Sequence, residues 1–84
     1  MDKIRRVMHF TEMQHYISLA EERRQTLNVK AWTSEGNINE YQGWYVHHQH
    51  WRGGYVRLRN PVNKQIRLIP EIYILEVNGY TIYL

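Results

Sequence analysis

The 84-residue chain contains no cysteine, a single aspartate (Asp2), two serines (Ser18 and Ser34) and two prolines. The missing thiols exclude a disulfide framework, a thiolate zinc site, an iron–sulfur cluster and a cysteine nucleophile. The scarcity of serine and aspartate leaves little from which to assemble a serine-based triad, and no glycine-rich phosphate loop is present. No apolar run approaches the roughly 18 residues needed to span a membrane. The opening MDKIRRVMHF lacks the apolar core of a secretory leader, so a cytoplasmic protein is expected. One further absence is local: no acid occurs in residues 41–70.

What the chain does hold is apolar and aromatic. Seven tyrosines and three tryptophans contribute to a hydrophobic content of 43%, enough for a packed core and too much for a disordered segment. The length allows one domain, residues 1–84, with a thin core. Residues 1–10 read as a basic arm or a short strand. From Thr11 the pattern is helical: Thr11 and Gln14 match a capping box, and Glu12 sits in the first turn. Met13, Tyr16, Ile17, Ala20 and Leu27 share one face, so an amphipathic helix over about residues 12–26 is expected.

After Asn28 the period becomes two. Strands are expected over 28–34, 38–51, 55–59, 64–69, 72–77 and 80–84, with a bulge or bend at Gly43. Turns fall at Ser34–Asn37, Gly53–Gly54, Asn60–Asn63 and Asn78-Gly79, the last having the signature of a type I′ hairpin. The fold class is α+β and mainly β: one N-terminal helix followed by about six short antiparallel strands in a bent sheet or small barrel. The stretch Ile69-Pro70-Glu71-Ile72-Tyr73-Ile74 resembles the proline-containing crossing before the last strand of Sm-like and SH3-like barrels. Arg52-Gly53-Gly54, Arg67 and Ile74-Leu75-Glu76-Val77-Asn78-Gly79 together resemble small uncharacterised proteins of gut anaerobic bacteria. That resemblance implies a bacterial origin and no function.

Register decides which side chains meet. Closure at Asn78-Gly79 pairs Val77 with Tyr80 and Leu75 with Ile82 on a core face. Ile74 and Tyr83 fall on the other face, extended by Ile72. An odd-length Asn60–Asn63 loop would place Val56 and Leu58 inside with Leu68 and Ile66, and Arg57 outside with Arg67. The Gly53–Gly54 hairpin leaves two registers open. One gathers Tyr45, His47 and Trp51 with Tyr55, Arg57 and Arg59; the other substitutes Trp44, Val46, His48 and His50.

The acid-free window carries Arg52, Arg57, Arg59, Lys64 and Arg67, plus His47, His48 and His50. Tyr45, His47, Trp51, Tyr55, Arg57, Arg59, Lys64 and Arg67 are therefore candidates for binding single-stranded DNA or RNA, through phosphate contacts and base stacking. The competing use of such residues is cross-strand packing. His48 and His50 project together, but further ligands from His9, His15 or Glu40 stand at no diagnostic spacing, so no metal is expected. A metal-free ribonuclease built from His47 or His48, Arg57, Arg59 and Glu40 is a weaker alternative, and no enzyme activity or cofactor is expected. The leading expectation is a non-catalytic interaction module that self-associates as a homodimer through Ile72, Ile74 and Tyr83, or binds another protein, with no membrane partner. Single-stranded nucleic-acid binding is the alternative.

Overall fold

Met13, Ile17 and Ala20 form a fully apolar stripe at helical spacing, and all three are buried. They belong to helix α1, Phe10–Glu22, in a computed structural model that describes residues 6–47 and 54–84. The helix begins before the expected capping box. His9 is the N-cap, and its Nδ1 accepts a hydrogen bond from the Thr11 backbone N–H at 3.1 Å. It also ends earlier than residue 26, because the chain turns left-handed at Arg24 (φ 54°). The Gln25 N–H closes onto the Ala20 carbonyl at 2.9 Å, and the Arg24 N–H onto Glu21 at 3.2 Å. This is a Schellman closure with arginine in the place glycine usually takes. Leu27, expected on the helix face, is instead a buried residue of the following strand.

Seven strands form one sheet: β1 (Val7–His9), β2 (Thr26–Trp32), β3 (Ile38–Val46), β4 (Tyr55–Arg59), β5 (Ile66–Pro70), β6 (Ile74–Val77) and β7 (Tyr80–Tyr83). Their order is β1-β7-β6-β2-β3-β4-β5, and the sheet is not closed. The short β1, one of the two readings open for residues 1–10, runs parallel to β7 with Val7 beside Thr81. All other pairings are antiparallel, so the sheet is mixed.

A 3₁₀ turn, Glu71–Tyr73, connects β5 to β6, as the Pro70 crossing suggested. Laid flat, β5 and β6 would stand four strand spacings apart, about 19 Å. Three turn residues and the junction reach about 14 Å at full extension. The sheet therefore curls, and β5 approaches β2 across a hollow lined by Trp32, Tyr41, Leu68, Pro70 and Tyr73. Gln14 of α1 donates to the buried Glu71 carboxylate at 3.4 Å, tying the helix to this crossing. The helix covers the inner face, where Met13, Ile17 and Ala20 share one core with Leu27, Val29, Ala31, Val46, Val56, Leu58, Ile69 and Val77.

Three local devices set the register. Asn78 (φ 49°) and Gly79 (φ 84°) form the expected left-handed hairpin turn, pairing Val77 with Tyr80. Gly43 (φ 68°) forms the expected bulge, where pairing steps from Leu27–Trp44 to Val29–Tyr41. A bulge at Leu75, between the pairs Lys30–Glu76 and Ala31–Ile74, was not anticipated. It rotates Ile74 into the core, where it is 5% exposed, and corrects its assignment to an outer self-association face.

Candidate nucleic-acid interface

Strand alternation around the buried Val46, Val56 and Leu58 directs their neighbours to the opposite face of the sheet. Tyr45 lies opposite Arg59, and Arg59 opposite Ile66. Next to this row, the His47 N–H donates to the Arg57 carbonyl at 2.7 Å, and Arg57 lies opposite Leu68. Tyr55, paired with Pro70, completes the surface. The two registers open at the Gly53–Gly54 hairpin are thus resolved for the described strands: Tyr45 and His47 share the arginine face, and Val46 faces inward. Trp51, His48 and His50 lie outside the described residues.

Two of the candidate cations are not on this face. The Asn60 loop has the opposite parity to the one expected, pairing Val56 with Ile69 and Leu58 with Arg67. Its cause is side-chain chemistry in the turn. The Asn60 Oδ1 accepts from the Val62 N–H at 2.8 Å, and the Lys64 N–H returns to the Asn60 carbonyl at 2.9 Å. Lys64 then takes a left-handed conformation (φ 61°) and Asn60 bonds Gln65, which leaves a four-residue loop. Arg67 consequently projects from the core side at the sheet edge, where its guanidinium meets the Gln65 side chain at 3.3 Å. Lys64 occupies the exposed turn itself. The same parity leaves Ile66 and Leu68, expected inside, 47% and 56% exposed.

Neither Arg57 nor Arg59 forms an ion pair with a carboxylate of the described residues, whereas Lys30 forms two. Lys30 lies 3.5 Å from both Glu40 and Glu76 on another part of the sheet. Those carboxylates, Glu76 first and then Glu40, raise the Lys30 pKa above its ordinary 10.5. Glu40 is thereby engaged toward the far end of β3 from His47, and the acid–base set considered for a ribonuclease is not gathered around it. Among the described residues no three His, Cys, Asp or Glu side chains cluster as metal ligands, and no helix is long and apolar enough to cross a membrane.

The arginine face runs into a cleft of about 420 Å³ at the C-terminal end of α1. Tyr45, Val46, His47 and Arg59 line one side; Ala20, Glu21 and Arg24 line the other. The helix expected over about residues 12–26 takes in Arg24 without linking it to the sheet. Nothing in residue type announces that an arginine will turn the chain left-handed and bring the helix end beside Tyr45.

The residues expected to support self-association are dispersed. Ile74 is in the core, Tyr83 packs edge-on against His9 of β1 (ring centroids 5.3 Å apart), and Ile72 is exposed in the 3₁₀ turn. The last strand, β7, is covered by β1; the sheet edges are β1 and β5. No protein-family model, curated protein or solved structure matches the chain.

Proposed function

We propose that this chain is a non-catalytic binding module whose ligand is a single-stranded nucleic acid. The observation that carries this reading is the gathering of Tyr45, His47, Tyr55, Arg57 and Arg59 on one side of β3 and β4, all from the acid-free stretch 41–70, while Glu40 of β3 is engaged by Lys30. Guanidinium groups bind phosphate oxygens in a planar, two-pronged manner. Tyrosine and imidazole rings offer flat surfaces to unpaired bases, which duplex DNA does not present. Two or three phosphate contacts make the binding weak and salt-dependent, with a log–log salt slope of about −2.

The test is fluorescence anisotropy of short labelled single strands, DNA and RNA, over a salt series. Binding should weaken steeply with salt, and Arg57→Glu with Arg59→Glu should abolish it while circular dichroism stays native. Binding that survives the double change would refute the role of this face.

Self-association is a second reading, favoured by the exposed Ile66 and Leu68 beside the free β5 edge. A twofold antiparallel pairing centred on Leu68 would set Ile66 against Pro70 of a second copy and bury both apolar rows. Light scattering should then give a dimer mass that Leu68→Glu reduces to a monomer. A monomer at high micromolar concentration would sink it.

A further inference from the structure

We propose that the cleft at the end of α1 seats one base of the bound single strand, and that Arg24 holds an adjacent phosphate. This rests on the nucleic-acid reading above and deepens it by naming a subsite and a residue from outside the acid-free window. The cleft has the mixed lining such a subsite needs. Ala20 and Val46, 3% and 9% exposed, supply an apolar floor, Tyr45 supplies a ring, and Arg24 and Arg59 supply cations from opposite sides. Its volume of about 420 Å³ lies within the range of small-molecule sites, about 300–1,000 Å³. A base placed there would continue the course set by Arg57 and Arg59 along β4.

A second observation is independent of the cleft. Arg24 stands at φ 54°, a conformation that costs a residue with a Cβ and suits glycine or asparagine. The side chain does not compensate by closing the helix. The backbone N–H groups of Arg23, Arg24 and Gln25 already satisfy the carbonyls of Leu19, Glu21 and Ala20. Nor does Arg24 form an ion pair with a described carboxylate. An arginine in the helix-closing position glycine usually takes, its side chain without a structural partner and exposed at the rim of a cleft that a second arginine shares, points to a bound anion. Glu21 also lines the cleft, on the same side as Arg24, and is itself engaged.

The experiment compares the wild type with Arg24→Gly and Arg24→Asn, both tolerant of the left-handed turn. Stability and affinity should move in opposite directions. Arg24→Gly should raise the Tm by about 3 °C as the backbone strain is relieved. Both variants should bind a labelled mixed-sequence single-stranded DNA about tenfold more weakly, the worth of one charge-assisted contact. Their salt slope should fall by about 0.7, one phosphate fewer. The wild type should also prefer this strand about tenfold over an abasic strand of equal length and charge. An unchanged affinity in both variants would overturn the role of Arg24, as would a lowered Tm in Arg24→Gly, which would make the residue structural. Equal binding of the abasic strand would overturn the base seat. Failure of the wild type to bind either strand at low salt is a separate outcome that removes the nucleic-acid reading, and this inference with it.

Discussion

Replacing Asn78 tests how a turn residue holds three parts of the fold together. Its Oδ1 accepts from the Asn28 N–H at 2.8 Å, and its Nδ2 donates to the Tyr16 hydroxyl of α1 at 2.9 Å. Its own N–H donates to the Asn28 carbonyl at 2.7 Å. Asn28 in turn accepts from Gly43 N–H at 2.8 Å, so the hairpin turn, the β2–β3 bulge and the helix meet at one point. Each side-chain hydrogen bond is worth about 1 kcal/mol net, and holding an alanine left-handed costs about 1 kcal/mol more. Asn78→Ala should therefore cost about 3 kcal/mol, and Asn78→Gly, which keeps the turn, about 2 kcal/mol. Asn78→Asp should stay within about 1 kcal/mol of the wild type, because a carboxylate still accepts from Asn28 and the Tyr16 hydroxyl can reverse its role and donate. Against a total of about 4–13 kcal/mol for a domain this size, the alanine change is severe. Urea unfolding followed by tryptophan fluorescence gives these differences directly. A cycle of Tyr16→Phe and Asn78→Gly should show a coupling of about 1 kcal/mol. If Asn78→Gly is as stable as the wild type, the turn conformation alone matters and the clamp does not.

Gly43→Ala should destabilise by about 1–2 kcal/mol in the same assay, entirely through the left-handed backbone, since an added Cβ meets nothing within 4 Å. A neutral result would mean that the bulge does not need glycine. The Lys30 triad predicts a pH effect of definite sign. Its pKa is raised in the fold, so its contribution is fully present below the ordinary 10.5 and disappears as pH rises through the higher folded value. The Tm advantage of the wild type over Lys30→Met should shrink as pH is taken above 10.5, and an advantage that stays constant there would refute the electrostatic origin.

The parts of the fold legible in the sequence are those carried by residues with one dominant conformational use. Asn78-Gly79 and Gly43 announced their left-handed backbones, Pro70 marked the crossing, and Met13, Ile17 and Ala20 marked the helix face. The misread positions are those where an ordinary residue takes an uncommon role. Arg24 and Lys64 adopt positive φ without being glycine or asparagine, and Leu75 bulges without a glycine. Arg24 ends the helix early, while the Lys64 turn and the Leu75 bulge each shift parity by one, and a one-residue slip exchanges the two faces of a strand. That is how Ile74 moved inside, Leu68 outside and Arg67 off the arginine face. Within the candidate site, alternation along β4 grouped Tyr55, Arg57 and Arg59, whereas Tyr45 and His47 belonged to one of two registers left open at the Gly53–Gly54 hairpin, which pairing of β3 with β4 decides. The site was not legible at Arg24, which belongs to it only through tertiary structure.

The parallel pairing of β1 with β7 has a consequence for the order of assembly. Val7 and Met8 find their partners in Thr81 and Ile82, at the far end of the fold in sequence. The β2–β6 body can form from nearer neighbours, but the first strand must wait for the final hairpin. Until β1 docks, the outer edge of β7 has no strand beside it, and such edges recruit other chains. Sequence separation thus makes closing that edge a late step of folding, and crowding by other unfolded chains would be most hazardous in the interval just before it.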